Sequence, residues 1–544
     1  MGHPPFLVRQ KPVVSDFQEM QQKPDVVILN AEVLTMGTSQ PSAKAVAVAQ
    51  ERIVAVGNNT DIQALAGLDT QEIDGQGLTL LPGFIDSHIH SLSLARTTQE
   101  LDCRPDKAPS VTAIAHRVFE WARIVPPGEW VRGFGYDDLA LDERRHPNRH
   151  DLDEISPKHP VRLDHRSGHA TVLNSLGLRM AGITAETPDP VQGVIERNAD
   201  GEPTGVLFEM AAFLSKNIET GRTRNKMQRG VTAANRLLLS YGITSLQDAG
   251  PENGPERWQA FRELIDAGNI QPRVTMMAGA GRLKHFIDAG FSWGSGDALL
   301  RLGHVKIMLT VTTGELHPSL EELREIATGA SKAGFPVAVH CVEQEAVAAA
   351  AQVISGLIPS PSGIPPHRIE HCSECPPDVL DAVRGGGAAV VTQPGFIHWN
   401  GPSYRANVAG SLQPHLYPIG AIDSAGIKIA FGSDAPVINP NPWPSIHSAV
   451  TRQDYQSKPF PESNGSGRVS VQSALRMYTL SGAELEGTAQ EKGSISPGKL
   501  ADLVLWHGVL EHVGDPATAL GVLREAVRPG GTLSLLVAQR HAAV

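Results

Sequence analysis

Eight short apolar runs separated by helix-like stretches limit what this chain can become. They are Leu80–Ile89, Ile243–Gln247, Val274–Met277, Val305–Leu309, Val337–His340, Arg368–His371, Ala389–Thr392 and Ile427–Phe431. Apolar runs that alternate with helical segments read as βα units on a parallel sheet. Eight such units close into a (β/α)8 barrel of the TIM type, in the α/β class. At 544 residues the chain is longer than a barrel needs, so an appended domain is expected.

The surplus length falls in three places. Residues 1–24 are polar and form an N-terminal arm. Val26–Leu34, Ala45–Val48 and Ile53–Val56 are β-branched runs between turn residues, and a matching piece, Gly493–Trp506, lies near the other end. Each piece carries only part of a sheet, so the two should pair as one small β-sandwich, from residues 25–78 and 485–544. The barrel then occupies 79–484. The gap after its first strand is too long for one helix and must hold an insertion, about 95–235, able to cover the barrel mouth.

Bulk properties exclude several partners. A net charge of −11 argues against nucleic acid or an anionic membrane and leaves a small-molecule substrate. There is no apolar stretch of about 18 residues and no signal-like start, so the cytoplasm is the expected address. Four cysteines in so long a chain make no disulfide framework. Cys372 and Cys375 have C-x-x-C spacing but no second pair to complete a zinc ribbon, and read as small residues beside a strand end.

Functional residues of such a barrel sit at the C-terminal ends of its strands. Those ends carry His88 and His90, Lys306, His340, His371 and Asp434. His88 and His90 lie two apart, so on an extended strand both imidazoles share a face, as a first-row metal ion requires. Taken singly, His340 also fits a satisfied core histidine, His371 a strand cap, and Asp434 a helix N-cap. Lys306 is the odd member, because an ammonium inside a barrel strand is unfavourable unless paired or chemically altered. Their arrival in order on successive strands favours a metal site.

The motifs Pro82-Gly-Phe-Ile-Asp-Ser-His-Ile-His90, Gly168-His-Ala-Thr-Val-Leu-Asn174, Asp200-Gly-Glu-Pro-Thr-Gly-Val-Leu207, Val391-Thr-Gln-Pro394, Gly432-Ser-Asp-Ala-Pro-Val437 and Gly493–Leu503 resemble the amidohydrolase superfamily. The resemblance spans about residues 25–506 and is close to the branch containing the N-substituted formamide deformylases. It implies that His88, His90, His340, His371 and Asp434 bind one or two divalent ions, zinc foremost. It also implies that Lys306 is the strand-4 lysine that relatives often carboxylate to bridge two metals. Metal-activated water would attack the carbonyl of a formamide, amide, carbamate, urea or cyclic amide, with Asp434 moving the proton and His371 also catalytic. His169, Asn174 and Thr310 are expected at the substrate, and a homodimer is the family habit. Other readings of the scaffold are a metal-dependent isomerase or lyase and a non-catalytic barrel.

Two departures stand out. Thr310 occupies a position where relatives carry Asp, and Ser167 precedes Gly-His where Asp is commoner. From about Trp506 the tail resembles the late strand-helix-strand part of an S-adenosylmethionine-dependent methyltransferase, without the Gly-rich nucleotide loop that methyl transfer needs.

Overall fold

The computed structural model describes residues 23–506, apart from 106, 127, 191–192, 219–223, 313 and 464–466. The atypical tail therefore lies outside the described residues, as does nearly all of the N-terminal arm. Eight parallel strands form one sheet in chain order. They are β1 Phe84–Ile89, β2 Ile243–Asp248, β3 Arg273–Gly279, β4 Leu300–Met308, β5 Val337–Cys341, β6 Arg368–His371, β7 Ala389–Thr392 and β8 Ile429–Phe431. β1–β3 and β6–β8 are buried along their whole length, the pattern of strands covered on both faces.

The sheet curls until β8 lies beside β1. Backbone bonds close the seam just past the strand ends. The Asp434 N–H donates to the His88 carbonyl at 2.7 Å, and the His90 N–H donates to the Ala435 carbonyl at 2.9 Å.

The first expected run proves to be two strands. Thr79–Pro82 pairs antiparallel with Leu503–Trp506 in a separate sheet, and β1 starts only at Phe84. Pro82 has no N–H to continue a ladder. Gly83 packs so closely that an added Cβ would lie 2.0 Å from Thr244 Oγ1. β4 in turn begins at Leu300, ahead of the expected Val305. Two polar residues hid its early part: Arg301 lies over the Trp293 ring at 5.1 Å, and the buried His304 bonds the Pro366 carbonyl at 3.2 Å.

Chain-terminal segments build two four-stranded sheets. One joins Arg52–Gly57, Ala45–Ala49, Val26–Leu29 and Gln71–Asp74; the other joins Leu503–Trp506, Thr79–Pro82, Glu32–Leu34 and Ser42–Ala43. Ile28, Val46, Val48 and Ile53 from the first meet Val33, Leu80 and Leu503 from the second in one apolar core. Alternate residues Val27, Leu29, Ala45 and Ala47 face away onto Ile62 of the helix Asn59–Gln63, as strand periodicity requires.

After β1 comes helix α1, Ser91–Thr97, and then the insertion. Its six-stranded sheet runs, in spatial order, Val194–Arg197, Pro203–Phe208, Ala170–Leu173, Val161–His165, Val131–Tyr136 and Leu101–Asp102. Helix α2, Arg224–Ser240, returns the chain to the barrel and packs on α1. Arg96 of α1 also reaches Asp164 of the inserted sheet at 3.4 Å. Among the described residues, no helix is long and apolar enough to cross a membrane.

Candidate active site

An irregularity in β1 places the first donors: its register with β2 shifts between Asp86 and Ile89, and His88 turns toward Lys306 and Glu370 while Ile85 and Ser87 approach Gly482. The Asp86 carboxylate accepts from the Ser433 N–H at 2.9 Å, the Ser433 hydroxyl at 2.5 Å and the His88 N–H at 3.2 Å. It thereby ties β1 to the turn that carries Asp434. Burial pushes the Asp86 carboxyl up to about 7, against those hydrogen bonds. Gly432 allows the close approach, because a Cβ there would lie 2.6 Å from the His88 backbone nitrogen.

His371 and Asp434 reach the centre by a different device. In the β5–β6 ladder Cys341 is the partner of His371 and His340 is the partner of Glu370. Plain alternation would give His371 the outward face of Cys341. Left-handed backbone at His371 (φ 70°) and Cys372 (φ 48°) turns the ring inward instead, 4.5 Å from the His340 ring. Asp434 is also left-handed, at φ 56°. Two uncommon backbone positions on two donors mark this turn region as specialised.

The donor atoms converge. Single ligand atoms of His88, His371 and Asp434 lie within 4.8 Å of one another. Asp434 Oδ1 is 3.1 Å from His90 Nε2 and 3.5 Å from His88 Nε2. Lys306 Nζ is 3.5 Å from His88 Nε2, and the ring centroids of His88 and His371 are 4.7 Å apart. All six residues expected from the strand ends therefore meet in one cluster.

Its electrostatics suit a cation. Burial is the largest influence on His88, His340 and His371 and holds all three imidazoles below their ordinary range, so their lone pairs are free near neutrality. Burial also lowers Lys306, against the opposing charges of Glu370 and Asp434. For Asp434 burial acts upward but is outweighed by the His90 hydrogen bond and the nearby His371 and His88, so its carboxyl stays below the usual range. Neutral imidazoles around one carboxylate fit a divalent ion.

Sequence reasoning missed the residues that hold these donors. The His371 Nδ1 bonds Gln393 Oε1 at 2.7 Å. His88 Nδ1 meets Glu370, whose other oxygen accepts from Arg368 Nε at 2.6 Å. Arg368 and Glu370 stand two apart in a short, fully buried strand, and that spacing was the signal for a charged pair on one face.

The expected substrate residues fare differently. Asn174 is a correction: it is buried, caps the helix Ser175–Met180, and has its amide fully occupied. Its oxygen accepts from the Val161 and Gly177 N–H groups at 2.9 Å each, and its nitrogen donates to the carbonyls of Ser156 and His159. It has nothing left for a substrate. His169 is exposed in the insertion with Nδ1 2.8 Å from Glu209 Oε1. Among the described residues no bond or ring contact joins it to the cluster. Thr310 is half-buried one residue beyond Leu309, which follows β4, in a hairpin where it pairs with His317.

Two other features lie apart from the cluster. Asp137, Asp138 and His165 gather in the inserted sheet, where Arg166 pairs with Asp137 at 2.8 Å. A cavity of about 960 Å³ separates α1 and α2 from the insertion and is lined by Arg96, Trp130 and Met180, but by none of the converging donors. The donor chemistry, not cavity size, identifies the candidate site.

Comparison with known proteins agrees with the geometry. The amidohydrolase family pattern matches residues 71–530 and so extends into the tail. The chain is 29% identical to the N-substituted formamide deformylase of Arthrobacter pascens, covering 93% of this chain and 96% of that protein. It is 28% identical to Protein LONG AFTER FAR-RED 3 of Arabidopsis thaliana, covering 88% and 87%. A metal-dependent hydrolase of Pyrococcus horikoshii OT3 superimposes with a TM-score of 0.70 at 20% identity, covering 88% and 97%, which speaks for the fold. With barrel, donors and sequence in agreement, the chain belongs to the amidohydrolase family and is a metal-dependent hydrolase of carbon–nitrogen bonds other than peptide bonds.

Proposed function

We propose that the enzyme hydrolyses the C–N bond of a small amide, with N-substituted formamides as the first substrate class and amides, carbamates, ureas and cyclic amides as neighbours. The observation that carries this reading is the convergence of His88, His371 and Asp434, in a chain aligned over 93% of its length with a formamide deformylase. His88, His90, His340, His371 and Asp434 are assigned as the metal-holding residues. The nitrogen-rich donor set favours zinc.

A divalent ion held there supplies carbonyl polarisation and acidified water. Everything else falls to the chain. Asp434, ionised and 3.1 Å from His90, is the base that accepts a proton and returns it to the departing amine. His371, turned inward and fixed by Gln393, stands beside it. Lys306, whose ammonium burial disfavours, is the residue to carry a carbamate and so admit a second ion. His169 from the insertion and Thr310 after β4 are assigned to the substrate side.

Incubating zinc-loaded protein with N-alkyl and N-aryl formamides, amides, carbamates and ureas tests the proposal. Release of free amine with formate from the formamides is expected. Metal-replete protein that liberates amine from none of these compounds refutes it.

A further inference from the structure

The layer beneath the donors is charged where a barrel interior is ordinarily filled with branched apolar side chains. Arg368 and Glu370 of β6, His88 of β1 and Gln247 of β2 are all fully buried. Arg368 spreads its guanidinium over four strands, its own included, with Nη2 also 3.8 Å from Met277 Sδ of β3. Nε donates to Glu370 at 2.6 Å, Nη1 to Gln247 Oε1 at 2.6 Å, and Nη2 to the Ser87 carbonyl at 3.2 Å. Gln247 is anchored in turn to the Gly482 carbonyl at 3.4 Å. The Glu370 carboxylate is thus fixed through one oxygen, and its other oxygen meets His88 Nδ1.

A buried ion pair is a poor source of stability, since desolvating two charges offsets most of their attraction. Orientation is the better reason for this one. An imidazole whose Nδ1–H donates to a carboxylate must carry its lone pair on Nε2. That nitrogen faces the cluster, 3.5 Å from both Lys306 Nζ and Asp434 Oδ1. Carboxylate support of this kind fixes the ring and raises its basicity toward a metal.

We propose that Glu370 is a positioning residue, braced by Arg368, which sets the tautomer and angle of His88 and thereby the metal affinity of the site. This rests on the reading of the cluster as the metal centre. It differs from that reading in assigning work to two residues that need never touch metal or substrate.

The test compares wild type with Glu370→Gln and with the double variant R368M/E370L, which removes both charges and cannot strand an unpaired Arg368 if the single variant fails to fold. Zinc affinity is measured by competition with a chromophoric chelator, cobalt binding by visible absorption, and folding of the metal-free proteins by circular dichroism and melting. Loss of about 10–100-fold in zinc affinity with a folded metal-free barrel is expected, along with an altered cobalt spectrum. A merely structural pair would shift the melt and leave affinity and spectrum alone. Folded variants that bind zinc within twofold of wild type overturn this proposal alone, whereas wild type that binds no zinc overturns the metal-centre reading together with it.

Discussion

The seam between β1 and β8 can be strained with a single methyl group. In Gly432→Ala the new Cβ would meet the His88 backbone nitrogen at 2.6 Å, its Cβ at 2.8 Å and its Cα at 3.0 Å. Two of these are backbone atoms, so no rotamer change relieves the clash and the turn must retreat. Three contacts lengthen with it: Asp434 N to His88 O (2.7 Å), His90 N to Ala435 O (2.9 Å) and Ser433 N to Asp86 Oδ1 (2.9 Å). Overpacking of this kind costs about 1–3 kcal/mol, and a weakened hydrogen bond adds about 1 kcal/mol. The expected destabilisation is therefore about 2–4 kcal/mol.

The effect on activity should be larger than that on folding. Asp434 moves with the turn, and misplacing a reacting group by roughly 1 Å costs on the order of 100-fold in rate. Differential scanning calorimetry, zinc content and formamide turnover are measured beside Gly329→Ala, where an added Cβ has nothing within 4 Å. The control should match wild type in turnover. Wild-type melting and turnover in Gly432→Ala would show that the seam does not set the donor geometry, and the reasoning would fail.

Other outcomes follow from the same contacts. Asp434→Asn should lower kcat by about 100- to 10,000-fold while zinc remains bound, checked by steady-state kinetics with metal analysis. Dialysis against a chelator should abolish turnover, and added zinc should restore it with the far-ultraviolet circular dichroism unchanged. Asn174→Ala removes a helix cap and strands the Val161 N–H, so it should destabilise the insertion by about 1–3 kcal/mol, read by limited proteolysis. Because its amide faces no substrate, KM should hold.

The barrel was legible because its strands are apolar runs bounded by turn residues, and β6 and β7 were located to the residue. The split at Pro82-Gly83 was not, since periodicity alone cannot reveal that an apolar run changes sheets partway. His88 and His90 could be paired from spacing, but the inward turn of His371 depends on a left-handed backbone that no periodic pattern encodes. Asn174 misled because an Asn ahead of a helix reads equally as a cap and as a motif residue. Arg368 and Glu370 were not legible as a brace, because an alternating charged pair in a four-residue strand reads equally as a solvent-facing edge.

Joining the first barrel strand to the last also gives the site a history during synthesis. Asp86 and Ser433 are 347 residues apart in the chain. At ribosomal rates of about 5–20 residues per second, the histidines of β1 exist for roughly 20–70 s before Asp434 is made. Until Glu370 is made the strand carries two imidazoles without the support that aims one of them, and they lack their anion until Asp434 follows. Capture of a metal at full affinity thus has to await the end of barrel synthesis, and a chain cut short before β8 is left without a working centre.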